Sequence, residues 1–278
     1  MQTTRILILT LPVVVALVLS AGCTGLAGTD LNGGPPAAVD IPGTPVHYAE
    51  VNGASLGYRE FGTGEPILLV AGIGSTMDNW DADFVGALAS KYHVYLYDRR
   101  GLGFSPDNAM APSVSQHADD AAALIAAIGH GRMNVYGLSM GSSIAQQLVI
   151  DHPGSVEKLI LSSTTYSVRI PECAGLLSEL ESIAADPSKP DAVRHEAEAS
   201  LAWNGTYDGL AGIERDVMLI VGINDTLTPD SISVRMVGEI DGSWLVRFAG
   251  ISHGGENEAP DEYARAVETF LATAGTHG

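Results

Sequence analysis

From residue 46 onward, short apolar runs alternate with stretches of helical periodicity, and glycine, proline and asparagine punctuate the joins. Val46–Val51 and Ser55–Glu60 flank Asn52-Gly53, a dipeptide suited to a two-residue hairpin turn. Pro66–Ala71 (PILLVA) is apolar throughout, as a strand buried on both faces must be. The pattern then predicts a helix over Trp80–Ser90, a strand over His93–Tyr97, a helix over Ser115–Ile128 and a strand over Met133–Gly137. A helix over Ser142–His152 and a strand over Lys158–Ser162 follow. Strands over Val217–Gly222 and Trp244–Ala249 enclose a helix over Pro229–Glu239, and Glu258–Ala272 forms the closing helix, with Glu256 and Glu258 near its start. Strands that alternate with helices call for an α/β fold, a doubly wound and mostly parallel sheet with helices on both faces. Residues 167–212 break the alternation. With Pro171, Pro187 and Pro190 and helical pieces at 176–185 and 193–203, they read as a small helical cap over one end of the sheet.

The N-terminus has a different pattern. Residues 1–22 place Arg5 before an apolar stretch, Ile6–Leu19, that ends in small residues, which is the layout of a secretory signal. The stretch is interrupted by Thr10 and Pro12 and is short for a membrane span. It closes on Leu19-Ser20-Ala21-Gly22-Cys23, which resembles a bacterial lipobox, whose cysteine is lipidated and becomes the new N-terminus. Residues 23–45, rich in Gly, Pro, Thr and Ala, then form a flexible tether on that anchor, and 46–278 form the domain. This organisation predicts an extracytoplasmic protein held to the membrane through Cys23.

Composition narrows the class of partner. Fourteen basic residues against 33 acidic ones give a net charge of −19, a field that repels nucleic acid. With Cys23 assigned to the anchor, Cys173 stands alone, and no CxxC pair or His/Cys cluster points to a metal. Gly72-x-Gly74 lacks the spacing of a dinucleotide loop, so nucleotide binding is not expected.

Candidate chemistry lies at the strand ends. Gly137-Leu138-Ser139-Met140-Gly141 is a G-x-S-x-G between the strand MNVYG and the helix SSIAQQLVI. A serine on such a turn projects its hydroxyl above the sheet edge, beside the free N–H groups of a helix N-terminus. A serine hydroxyl needs a base, and the base an orienting acid. Asp225 follows VMLIVG and His253 follows WLVRFAG, so both leave the carboxyl edge from which Ser139 emerges. The other histidines weighed, His93, His117, His152, His195 and His277, do not lie on a loop after a late strand. The N–H of Met140 and of Ile73, in the loop after PILLVA, are the candidate oxyanion donors. Trp203, Tyr166, Tyr207 and Met140 are candidates for pocket wall or for core.

From about residue 46 to 273, the chain resembles the alpha/beta-hydrolase superfamily. Its Gly137–Gly141 elbow and Tyr97-Asp98-Arg99-Arg100-Gly101-Leu102-Gly103-Phe104-Ser105 segment are similar to the branch of enol-lactonases, small-ester hydrolases, aclacinomycin-type methylesterases and cofactor-free haloperoxidases. The resemblance implies hydrolysis through an acyl-enzyme without a cofactor, a cap over the site, and a structural role for Asp98–Ser105. The chain departs from that family where the oxyanion loop usually begins His-Gly, since here it is Ala71-Gly72. The leading expectation is a serine hydrolase that cleaves a carboxylic ester or similar acyl bond of a small substrate. A carbon–carbon bond hydrolase or perhydrolase would use the same triad, and a non-catalytic binding lipoprotein of this fold is the third alternative.

The anchor has a direct check. Intact-mass analysis of membrane-extracted protein should show residues 1–22 removed and a lipid on Cys23, and Cys23→Ser should release the domain or leave it unprocessed. An unmodified Cys23, or a retained Met1, would overturn the assignment.

Overall fold

The computed structural model describes residues 37–106 and 112–275, together with the backbone of residues 5–8. The Cys23 assignment and His277 lie outside these residues. Among the described residues nine strands form one sheet: β1 (Arg5–Ile8), β2 (His47–Val51), β3 (Ala54–Phe61), β4 (Glu65–Val70), β5 (Tyr92–Tyr97), β6 (Met133–Leu138), β7 (Val156–Ser162), β8 (Asp216–Gly222) and β9 (Trp244–Phe248). Their order is β1-β9-β8-β7-β6-β4-β5-β3-β2. Only the β2–β3 and β3–β5 pairs are antiparallel, and Asn52, at φ 47°, turns the predicted hairpin. The chain leaves β4 for β5 on one side and later returns to β6 on the other. Loops after β4 and β6 therefore diverge at a switch point, where a crevice opens at the carboxyl edge.

The helices are α1 (Ala82–Ala89), α2 (Val114–Ala127), α3 (Met140–Asp151), α4 (Ala174–Ala185), α5 (Asp191–Ala202), α6 (Tyr207–Leu210), α7 (Asp230–Glu239) and α8 (Pro260–Leu271). Side chains of the inner strands alternate between two cores, as period-two geometry requires. In β8, Val217, Leu219 and Val221 join residues of α2, α3 and α7, including Leu124, Ile144 and Met236. Met218 and Ile220 face the opposite core, with Phe84 of α1 and Val267 and Phe270 of α8. Both faces are covered, which is why these strands read as continuous apolar runs.

Two features differ from the sequence expectation. Arg5–Ile8, within the expected signal, pairs in parallel with β9 and extends the sheet. β9 would otherwise be an open edge, a template for any apolar extended segment, and this pairing exists only while residues 1–22 remain attached. The second difference is Glu256. It lies not at the start of the last helix but in a 3-10 turn, Gly255–Asn257, that follows Gly254 at φ 75°. Its side chain is fully buried.

Oε2 of Glu256 accepts long hydrogen bonds from Tyr136 and Ser162, both 3.3 Å, while Oε1 has no partner. Burial pushes the carboxyl up to about 7 from the usual 4.5, and its own backbone N–H, His253, Tyr136 and Ser162 offset this only in part. Below about pH 4.5 the folded and unfolded chains both hold this proton. Between about 4.5 and 7 only the folded chain keeps it, so stability falls as pH rises through that window and stays lower above it. The shift corresponds to about 3 kcal/mol. Glu256→Gln should therefore raise the melting temperature at pH 8.5 and give no comparable gain at pH 4; equal effects at both pH values would contradict this burial-driven proton uptake.

Candidate active site

The loop from β6 into α3 carries Ser139 at φ 54°, ψ −120°, backbone space that a residue with a side chain occupies only under strain. It is held there by its N–H, which donates to the Ser162 carbonyl of β7 at 3.0 Å, and by its own carbonyl, which accepts from Ser142 N at 2.8 Å as α3 begins. A Cβ on Gly141 would fall on the Val70 carbonyl, so only glycine lets α3 start this close to β4.

The structure brings Ser139, His253 and Asp225 together. Ser139 Oγ lies 2.9 Å from His253 Nε2, and His253 Nδ1 lies 2.8 Å from Asp225 Oδ2. The imidazole is partly exposed, while the Asp225 carboxylate is fully buried. Asp225 Oδ1 accepts the N–H groups of Leu227 and Thr228 at 2.9 and 2.8 Å, and Oδ2 accepts the Thr228 hydroxyl at 2.8 Å. Burial pushes this carboxyl up, but the bonds and charge of His253 and the donors of Thr228 outweigh it, so it stays below the usual carboxylate range.

The Asp225 and His253 loops are strapped to each other. Ile223 N donates to Phe248 O at 2.8 Å and Asn224 N to Ile251 O at 2.9 Å. Gly222 permits this crossing, because a Cβ there would strike the Ile251 and Ser252 carbonyls. Beyond His253, Gly254 N donates to Ser163 Oγ at 3.1 Å. The arrangement can move a proton from Ser139 Oγ to Nε2 while Asp225 holds the other ring nitrogen protonated.

Met140 opens α3, so its N–H has no acceptor within the helix. Ile73 follows Gly72, where the position a Cβ would take lies 3.5 Å from Ser139 Cβ. The loop after β4 thus runs alongside the serine, as an oxyanion-binding loop must. Tyr166, Trp203 and Met140 are buried in the core cluster. Tyr207 is exposed and lies against Tyr166, with ring centroids 4.8 Å apart.

Several residues that support the site escaped the sequence reading. Thr228 bridges Asp225 and His253, with its hydroxyl also 3.3 Å from Nδ1. The Asp-Thr-Leu-Thr spacing, with an aspartate capping the turn three residues on, was the available signal. Glu196 of α5 holds the loop after β4 together with Arg99, which lies in the Asp98–Ser105 segment expected to be structural; no local pattern marks Glu196. Among the described residues, no cluster of three or more His, Cys, Asp or Glu could hold a metal ion.

A family profile described as the alpha/beta hydrolase fold matches residues 65–189. A provisionally named carbamate hydrolase, RutD, from Caulobacter sp. is 27% identical over 263 residues, covering 81% of this chain and 95% of that protein. A provisionally named non-heme bromoperoxidase, BpoC, from Mycobacterium tuberculosis is 35% identical over 111 residues. That match spans only 40% of this chain and 42% of the relative. The crystal structure of a hydrolase from Pseudomonas aeruginosa superposes with a TM-score of 0.72 at 25% identity, covering 82% of this chain and 98% of that one.

Asp98 is the rival carboxylate at a strand end. Both of its oxygens are taken by backbone N–H groups, Met77 at 2.6 Å and Phe104 at 2.7 Å. Asp225→Asn should lower kcat about 10⁴-fold with the fold retained, the scale of loss when a triad acid is neutralised. Asp98→Asn should mainly lower the melting temperature. Kinetics of the two folded variants on one ester decide it, and a larger kcat loss for Asp98→Asn would mean the acid is misassigned.

Proposed function

We propose that this chain, a member of the alpha/beta-hydrolase superfamily, is a serine hydrolase that cleaves a carboxylic ester or similar acyl bond of a small substrate. The observation that carries this reading is the Ser139–His253–Asp225 relay, with contacts of 2.9 and 2.8 Å at the carboxyl edge of the sheet.

In the proposed mechanism Ser139 Oγ attacks the acyl carbonyl and gives its proton to His253 Nε2. The carbonyl oxygen takes up negative charge and accepts from the N–H groups of Ile73 and Met140. Collapse breaks the bond to the leaving alkoxide, which takes the proton from His253 and departs as an alcohol. The acyl group stays on Ser139. Water then gives a proton to His253 as it attacks the acyl-enzyme, and the second collapse returns that proton to Ser139 and releases the acid. Asp225 stabilises the imidazolium in both halves and keeps its own charge. No step needs a metal or cofactor. We place the enzyme outside the cytoplasm, tethered through a lipid on Cys23.

The local similarity to a protein named as a bromoperoxidase favours one second reading. Hydrogen peroxide in place of water would attack the same acyl-enzyme and release a peracid.

A fluorophosphonate should label the protein at Ser139, and p-nitrophenyl esters of increasing chain length should be hydrolysed with a preference for one size. Ser139→Ala should abolish labelling and lower ester turnover about 10⁴-fold or more with the fold unchanged. Wild-type rates in that variant would refute the reading. Peracid formation in preference to hydrolysis would favour the second.

A further inference from the structure

The loop after β4 is braced by two residues outside the proposed catalytic relay. Arg99 donates from Nη1 to the Ala71 carbonyl and from Nη2 to the Gly72 carbonyl, both at 2.8 Å. Its Nε donates to Glu196 Oε1 at 2.6 Å, and the other oxygen of Glu196 accepts the Gly74 N–H at 2.7 Å. Each side chain is only 1% exposed. Glu196 belongs to α5, in the excursion between β7 and β8, and is separated from Arg99 by 97 positions.

Peptide geometry turns this brace into an aiming device. Across a trans peptide the C=O and N–H point in opposite directions. With the Gly72 carbonyl fixed on the guanidinium, the Ile73 N–H in the same plane must point to the other side of the loop. The Gly74 N–H is spent on Glu196, which pins the loop from its other side. Ala71, at the head of the loop, has no polar side chain with which to brace it. Val193, one turn before Glu196 on α5, packs against Gly74, where an added Cβ would lie 3.2 Å from Cγ1.

We propose that Glu196 and Arg99 are positioning residues for acyl transfer: from the cap, Glu196 fixes the guanidinium that aims the Ile73 N–H at the oxyanion. The inference rests on the acyl-transfer reading of Ser139. It makes the seating of α5 and the competence of the oxyanion site one structural state, so a displaced cap would leave the triad intact but the oxyanion short of a donor.

The test compares a p-nitrophenyl ester with its thionoester. Sulfur accepts hydrogen bonds weakly, so the thiono substrate gains little from oxyanion donors. Two variants are measured, Glu196→Gln and the double variant Arg99→Met/Glu196→Met. The double variant removes both buried charges at once, which guards against the misfolding that an unpaired buried charge causes. Loss of a whole oxyanion donor costs about 10²–10³ in kcat, so misaiming one should cost about 10- to 100-fold. Expected is a kcat loss of that size on the oxo ester, with KM nearly unchanged and the thionoester rate little affected. Equal losses on both substrates in the folded double variant would mean a structural role alone, and unchanged oxo-ester kcat would mean no role; either result overturns the inference. Absence of fluorophosphonate labelling in the unaltered protein would instead remove the acyl-transfer reading beneath it.

Discussion

A side-chain-bearing residue at φ 54° and ψ −120° does not stay there by its own preference. Such a conformation costs about 1–3 kcal/mol, and it persists only where the surroundings over-determine it. At Ser139 the surroundings are three elements. β7 receives its N–H, α3 begins on its carbonyl, and β4 lies so close behind Gly141 that no other residue fits there. The strained turn therefore fixes the spacing of β4, β6 and β7 at the carboxyl edge. The same spacing carries the β4 loop past Ser139. The serine, the helix N-terminus and the neighbouring loop are one packing solution.

The electrostatics beneath His253 follow from unequal burial and unequal supplies of donors. Two buried carboxyls stand near one imidazole. Asp225 receives two backbone N–H groups and a hydroxyl besides the ring, all within 2.9 Å. Glu256 receives two contacts of 3.3 Å and has one oxygen with no partner. Burial opposes ionisation of both, and only Asp225 has enough donors to overcome it. Glu256, the more deeply buried and the less well supplied with donors, and Asp225 thus end with opposite tendencies, and the anion sits where it can orient the ring.

The alternation of elements was legible because both faces of the inner strands are covered. PILLVA and VMLIVG are apolar throughout for that reason, and chemistry-bearing residues just past such runs fall on a common edge. The meeting of Ser139, Asp225 and His253 was readable for the same cause: each lies in a loop just after a strand, and sequence order alone sets which edge they reach. What stayed hidden depends on contacts between distant segments. Nothing near Glu196 distinguishes it from the exposed Glu198 of α5, because its partners are Arg99 and the Gly74 amide. Glu256 looked like a helix-start carboxylate, since acidic residues favour that position. Its burial follows from the turn at Gly254, which swings it under Tyr136. The pairing of Arg5–Ile8 with β9 was equally out of reach, because an apolar export signal and an apolar edge strand have the same composition.

The helical excursion between β7 and β8 shows how dependence between parts arises from size. Within the excursion, the satellite apolar cluster has only Val168, Leu180 and Ala197 as its fully buried members. A core that small cannot hold a unit together on its own. Ile73, from the β4 loop, packs against this cluster, as do Leu176, Leu177 and Leu201. The Arg99–Glu196 pair adds a polar tie at the same place, buried where water does not compete for it. Both ties end on the loop that runs alongside Ser139. A larger cap with its own core could move as a rigid lid and leave that loop undisturbed. This excursion has too little core to be independent of that loop, so a shift of α5 would act on residues 71–74 as well.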